Sequence, residues 1–334
     1  MSPKRASQAD IAVQLGVSIS TVSRALANEI GISEVMRAEV QKVARQLGYK
    51  SKHVYSVENL DRHVLALVPL GGATGHLTSF YHGIVEGMRA QAAELGIKLD
   101  VRLVNEDSVD DVFVQRQLQR TGASGLVLAG IDPAPEFAQW CNENEINLVL
   151  ANGLDPRMAV SSVTPANFFG AYQATRYLLN AGHRKILHYT HQVRPTIIQR
   201  QRGYEAAMAE VADAVPTIVT TNDYTNAELV AALRQGEFDV TAVFCWNDIA
   251  AMPLVDALGG GEGHARHPLS IVGFDDLPIA SMATPRLSTV QVDRVAMGRA
   301  VIRLLGQKFD GEPAVQQVEI GVTLIEGDTV AAIE

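Results

Sequence analysis

Ser20, Thr21, Ser23 and Arg24 place three hydroxyls and one guanidinium within five residues. Val22, Ala25 and Leu26 fall among them at the spacing of a buried helical face, which leaves the polar four pointing outward. A short helix presenting hydroxyls and a cation can hydrogen-bond to phosphate oxygens and to base edges. The plainer alternative is an ordinary solvated helix surface. The remaining reactive side chains do not gather into a catalytic set. His188 and His191, or His264 and His267, could pair on a metal, but neither pair has a third ligand nearby and no metal is expected. Gly259-Gly-Gly-Glu-Gly263 follows a helix rather than a strand, so it reads as a surface loop and not as a dinucleotide loop. A Gly-x-Ser-x-Gly elbow is absent. No cofactor and no enzymatic activity are expected.

The elements that must position the polar four are short helices. Ser7 can cap the first, with Asp10 three residues on as an acidic variant of the capping box, and Ile11, Ala12 and Leu15 form its apolar face. Gly16 stands where a left-handed residue ends a helix, Val17 plugs the turn, and Ser18 can cap the second helix. A third amphipathic helix has Ser33 as its cap, Met36, Val40, Val43 and Leu47 as its stripe, and Gly48 as its stop. This is the helix–turn–helix form that lays one helix in the DNA major groove.

Charge separates this reading from any three-helix cap. Residues 1–55 carry eight Lys or Arg (4, 5, 24, 37, 42, 45, 50 and 52) against four acids (10, 29, 34 and 39), whereas the whole chain carries −9. A basic head on an acidic body suits a protein of which only one end should meet phosphate. The 334 residues have room for a small domain and one or two larger ones, and 47% hydrophobic with 19% charged residues describes a folded chain. No apolar run approaches the roughly 20 residues that span a bilayer, so no membrane association is expected. The opening Met-Ser-Pro-Lys-Arg lacks the apolar run of a signal peptide. Cys141 and Cys245, the only cysteines, sit within helix and strand patterns, and no disulfide framework is expected. A cytoplasmic location follows.

From Val64 onward, short apolar runs alternate with amphipathic helices. Val64–Val68, Leu99–Val104, Gly125–Ala129 and Asn147–Ala151 are strands, with a helix from about Ser79 to Leu95 among the connections. The rhythm restarts after Thr164: a helix from about Phe168 to Asn180, then strands at Lys185–Tyr189, Ile218–Thr220, Thr241–Phe244 and Leu269–Gly273. Continuous apolar strands between helices mean parallel sheets covered on both faces. Two such series predict two doubly wound α/β lobes. Ligands bind such sheets at the carboxyl ends of their strands, and two facing lobes make a cleft there.

Several stretches resemble the lactose repressor/galactose repressor (LacI/GalR) family of bacterial transcription regulators. They are Val17-Ser-Ile-Ser-Thr-Val-Ser-Arg24, Val43-Ala-Arg-Gln-Leu-Gly-Tyr49, Gly182-His-Arg-Lys-Ile186 and Arg200-Gln-Arg-Gly-Tyr204, followed by Thr241-Ala-Val-Phe-Cys-Trp-Asn-Asp248, Val272-Gly-Phe-Asp-Asp276 and Thr284-Pro-Arg-Leu-Ser-Thr289. They cover nearly the whole chain in the family's order. The resemblance implies an all-α helix–turn–helix DNA-binding domain at 1–49, a hinge at 50–62 and a periplasmic-binding-protein-like core at 63–334. Lobe one of that core is then about 63–163 with 293–320, and lobe two about 164–292 with 321–334. It further implies that Ile19, Ser20 and Arg24 meet base edges, that Thr21 and Ser23 meet phosphate, and that Lys52 lies in the DNA-contacting region. A homodimer would place two such helices about one turn of DNA apart, so a palindromic double-stranded operator is expected.

The hinge departs from the family. Relatives have a Pro-Asn step and a short helix whose leucine wedges into the minor groove. Lys50–Arg62 holds no proline and is about two residues shorter, and counting from Tyr49 puts Glu58 at the wedge position. A carboxylate cannot enter a stack of bases, and Val57 or Leu60 could replace it only with a shifted register. Two alternatives stay open: straighter DNA, or a differently ordered hinge.

For the effector cleft, the resemblance implies stacking platforms at Phe80, Tyr81 and Tyr224. It implies a polar cluster at Arg194, Thr196 and Arg200, and hydrogen-bonding groups at Asn152, Asn247 and Asp275, with Trp246 lining the cleft. Asn152 stands where relatives usually carry Asp. Asp248 is expected to cap the following helix, with Asn247 the next choice for that role, and Phe80 and Tyr224 have plain core packing as their alternative. Flat apolar faces with paired polar groups suit a sugar or sugar derivative. The arginines would also suit an acidic or phosphorylated ligand or a purine. The implied function is a repressor switched by a small effector, by induction or alternatively by corepression. A binding protein without DNA function and an α/β enzyme are the competing classes. The C-terminus shows no added heptads, which favours a dimer over a tetramer.

Overall fold

A computed structural model of the chain describes residues 7–26, 32–47, 62–70, 76–105, 109–258 and 269–333. It divides into two compact units, Met1–Leu60 and Asp61–Glu334. Lys52, Tyr49 and the hinge positions Val57, Glu58 and Leu60 lie outside the described residues, as do Gly48, the 259–263 glycine run, His264 and His267.

The first unit holds α1 (Gln8–Leu15), α2 (Ile19–Leu26) and α3 (Glu34–Gln46). Ser7 caps α1 in a full capping box with Asp10, and Gly16 closes it at φ 66°. Ser18 Oγ accepts from the Thr21 amide at 3.0 Å and Ser33 Oγ from the Met36 amide at 3.2 Å, so each of the other helices also has its hydroxyl cap. Ile11, Ala12, Val22, Ala25, Val40, Val43 and Ala44 form the core. Leu47 departs from the expected stripe: α3 ends at Gln46, Leu47 is exposed, and Ala44 takes a core position instead.

The second unit runs β1 (His63–Pro69), α4 (His76–Leu95), β2 (Lys98–Val104), α5 (Asp111–Thr121), β3 (Gly125–Ala129), α6 (Pro135–Glu143), β4 (Asn147–Ala151) and β5 (Ser161–Pro165). It continues through α7 (Asn167–Asn180), β6 (Lys185–Thr190), α8 (Pro195–Ala209), β7 (Val215–Thr220), α9 (Asn226–Gln235), β8 (Ala242–Cys245), α10 (Asp248–Leu258) and β9 (Ser270–Val272). The last elements are α11 (Pro278–Met282), β10 (Thr289–Val292), α12 (Arg294–Phe309), β11 (Gln317–Ile320) and β12 (Val322–Ile325).

A six-stranded parallel sheet, ordered β11-β5-β4-β3-β1-β2, forms one lobe, and a four-stranded parallel sheet, β7-β6-β8-β9, forms the other. Strand periodicity explains the burial. Along β1, Val64, Ala66 and Val68 join one apolar cluster, while Leu65 and Leu67 join another on the opposite face. β7 is an edge strand, which tolerates the missing ladder donor of Pro216. The chain passes between the lobes three times: from β5 into α7, from β10 into α12, and from β11 into β12. The last strand pairs antiparallel with β10. α12 packs along α4 so closely that a Cβ on Gly87 would lie 2.1 Å from the Val295 carbonyl oxygen. The carboxyl ends of both sheets thus face one cleft.

Candidate functional site

On the first unit, the helix core orients α2. With Val22 and Ala25 buried, Ser20, Ser23 and Arg24 are exposed, as is Ile19 at 53%. Thr21 is half-buried, and its hydroxyl sits 2.8 Å from Ser18 Oγ, which also lies 2.9 Å from Ser20 Oγ. The helix N-terminus therefore carries a knot of hydroxyls beside one apolar and one guanidinium side chain. Such a surface can meet phosphate through its hydroxyls and amides and base edges through Ile19 and Arg24.

The second unit has an open cleft of about 180 Å³ between its lobes. Nine of the ten expected effector residues line it: Phe80 and Tyr81 on α4, Asn152 after β4, Arg194, Thr196 and Arg200 at the start of α8, Trp246 and Asn247 after β8, and Asp275 after β9. The strand ends deliver these polar groups, and α4 and α8 cover them from opposite lobes. Phe80 and Tyr81 pack edge to face at 5.3 Å, and both also belong to the core cluster, so the wall of the cleft is the surface of the core. Gly130 makes room for Tyr81, because a Cβ there would lie 1.7 Å from its hydroxyl. Asn152 and Asp275 hold left-handed backbone at φ 51° and 108°, which Asn and Asp tolerate better than other side-chain-bearing residues.

Arg200 is the buried centre of lobe two. Its Nε donates to Asn167 Oδ1 at 2.9 Å, Nη1 to the Trp246 carbonyl, and Nη2 to Asp275 Oδ1 at 3.3 Å, while Cζ stands 3.6 Å from the Phe274 ring centroid. Burial lowers the Arg200 pKa, and burial pushes the Asp275 carboxyl up to about 6 against the pull of Arg200 and Arg294. Arg194 crosses the cleft. Its Nε and Nη2 donate to Asp132 Oδ2 and Oδ1 at 2.7 and 3.2 Å, and Nη2 donates to the Asn152 carbonyl at 2.6 Å, both on lobe one. Burial acts to lower its pKa, but the Tyr81 phenol and the Asp132 carboxylate outweigh that and raise it.

Three placements differ from expectation. Tyr224 does not line the cleft: it follows the edge strand β7 and packs against Phe238 at 5.8 Å, with its carbonyl accepting from the Tyr189 hydroxyl. Asn247, not Asp248, caps α10, its Oδ1 accepting from the Ala250 amide at 2.8 Å. Asp248 is fully buried and instead ties together the Leu277 amide and the Thr289 hydroxyl; burial, aided by Asp275, raises its pKa well above normal. His191 also lines the cleft, edge-on to Trp246 at 4.3 Å, and burial followed by Arg194 and Arg200 lowers its pKa to about 4. In the sequence alone, His191 stands out only as half of a possible metal pair. Its partner His188 sits between Tyr204 and Phe244 inside the sheet, and no group of three metal-ligating side chains occurs among the described residues. Asp132 was missed altogether, since only the fold brings it to Arg194. No helix among the described residues is long and apolar enough to cross a membrane.

A model of bacterial regulatory proteins of the lacI family matches residues 9–52, and one of periplasmic binding protein-like domains matches residues 175–330. The chain is 27% identical over 320 residues to the HTH-type transcriptional repressor CytR of Escherichia coli (strain K12), covering 92% of this chain and 91% of that protein. It is 26% identical over 332 residues to the ribose operon repressor of the same strain, covering 96% and 98%. Among solved structures, the transcriptional regulator CelR–cellobiose complex shares the fold with a TM-score of 0.67 at 24% identity, over 98% of this chain and 100% of that one. The lac repressor dimer bound to operator and the anti-inducer ONPF does so with a TM-score of 0.67 at 20% identity and the same coverage. The chain therefore carries a DNA-binding domain of the lacI family of bacterial regulatory proteins ahead of a periplasmic binding protein-like domain.

Proposed function

We propose that the chain is a cytoplasmic, dimeric repressor without enzymatic activity. Residues 1–49 bind a palindromic operator, 50–62 form the hinge, and 63–334 bind a small effector, a sugar or sugar derivative, whose entry releases the DNA. Ile19, Ser20, Thr21, Ser23, Arg24 and Lys52 serve the operator; the nine cleft residues serve the effector.

The observation that carries the effector reading is a pair of buried polar atoms in the cleft. Trp246 Nε1 and Asn152 Oδ1 have no hydrogen-bond partner among the described residues, although buried polar groups normally do. One is a donor and the other an acceptor, flanked by the rings of Phe80, Tyr81 and Trp246. A hydroxylated ring with an apolar face answers all three demands at once. CelR bound to cellobiose supports the same class.

The switch follows from the three crossovers between the lobes. A ligand gripped by both lobes changes their closure, and it shifts the equilibrium only by its differential affinity for the two states; a full switch needs about 5.5 kcal/mol. A thermal-shift screen of the full chain against neutral sugars and sugar derivatives tests the proposal. A stabilising hit that Asp275→Asn abolishes supports it, and no hit across the set overturns the effector class.

A further inference from the structure

The two arginines of the cleft differ from a bare cationic lip in one respect: each already holds a carboxylate. Arg200 is bonded to Asp275 within lobe two. Arg194 is bonded through both edges of its fork to Asp132, which comes from the loop after β3 in the other lobe. The third basic group, His191, is held neutral at physiological pH by burial and by the two arginines. Behind Asp275 lies the fully buried Asp248, and Arg294 nearby is spent on the carbonyls of Asp275 and Asp276. A carboxylate or phosphate entering this cleft would therefore have to pull a guanidinium from its partner and leave that carboxylate facing it.

We infer that the cleft selects an electrically neutral effector, and that Asp132 sets this selectivity by occupying the guanidinium of Arg194. The inference rests on the reading of the cleft as an effector site. Uncharged hydroxylated ligands meet the Trp246 indole N–H and the Asn152 amide without disturbing either ion pair. Anionic ligands of the same ring skeleton compete with Asp132 for a planar fork that binds carboxylates bidentately. Asp132 is thus a specificity-determining residue that acts through Arg194 while standing outside the cleft lining.

Calorimetric titration of the full chain with matched pairs tests this: glucose with glucose 6-phosphate, ribose with ribose 5-phosphate, and adenosine with adenosine monophosphate. In whichever pair binds, the neutral member is expected to bind at least tenfold more tightly. Asp132→Asn keeps one acceptor for Arg194 but removes the charge, so it should narrow that ratio at least tenfold, and Arg194→Gln added to it should reverse the gain in anion affinity. A thermal melt of each variant establishes that it is folded. Equal or tighter binding of the anionic member by the wild-type chain, or an unchanged ratio in folded Asp132→Asn, overturns the inference while leaving an effector site in place. Binding by no member of any pair overturns the effector reading itself and this inference with it.

Discussion

Arg200 and Asp275 form an ion pair that is almost wholly withdrawn from solvent, with side chains 4% and 9% exposed. The guanidinium reaches α7 through Asn167, the end of β8 through the Trp246 carbonyl and the end of β9 through Asp275. One side chain therefore both braces lobe two and faces the cleft. Arg200→Ala leaves a buried carboxylate without its donor and is expected to destabilise the second unit by about 3–5 kcal/mol. Arg200→Lys should recover little, because one ammonium nitrogen cannot reach the three separate acceptors that the guanidinium spans, nor lie flat on Phe274. Chemical denaturation of the two variants measures both effects.

His188 makes stability depend on pH. Its Nδ1 donates to the Phe244 carbonyl at 3.0 Å, its Nε2 is buried without a partner among the described residues, and burial pushes its pKa down to about 4. In the unfolded chain it titrates near 6.5, so between 6.5 and 4 the unfolded state takes up a proton that the folded state refuses. The contribution is complete above pH 6.5 and is lost as pH falls toward 4, amounting to about 3 kcal/mol. Denaturation of the wild-type chain and His188→Gln across this window should show the wild type losing stability more steeply; parallel curves would mean that His188 is not held neutral.

Much of this architecture was legible because its signals are local. Ser7, Gly16, Ser18 and Ser33 are punctuation read within one turn, and the continuous apolar runs of β1, β3 and β4 announce a two-faced sheet. β5, β10, β11 and β12 gave no such signal: Ser161–Pro165 and Gln317–Ile320 are short and partly polar, and they pair with each other from distant parts of the sequence. β7 showed only its second half, since Pro216 interrupts the pattern. In the cleft, the family resemblance brought nine residues to one place. It could not bring Asp132, whose role depends on a lobe-to-lobe contact, and it misplaced Tyr224, which the edge position of β7 carries away from the cleft.

Tyr224 supplies a test of that correction. Tyr224→Leu removes the edge-to-face contact with Phe238 and should lower stability by about 0.5–1.5 kcal/mol. Effector affinity, read by calorimetry, should stay within twofold of wild type. A tenfold loss of affinity in the folded variant would return Tyr224 to the effector site.

On the DNA-binding unit, Arg24 and Ser23 separate reading from holding. Arg24→Ala is expected to cost about 1–3 kcal/mol of operator binding and to relax preference at one base-pair position. Ser23→Ala should weaken all sequences alike and by less. Fluorescence anisotropy with a duplex selected by the protein from random double-stranded DNA, and with single-position variants of that duplex, distinguishes the two patterns.

The central claim is that the cleft and the DNA-binding helices are coupled. The measurement that tests it most directly is the affinity of the full chain for its selected duplex, titrated with and without a saturating effector identified by thermal shift. The account predicts a palindromic duplex whose dissociation constant rises at least tenfold when the effector is present, with Asp275→Asn holding the DNA regardless. An effector that saturates the cleft and leaves the dissociation constant unchanged would contradict it.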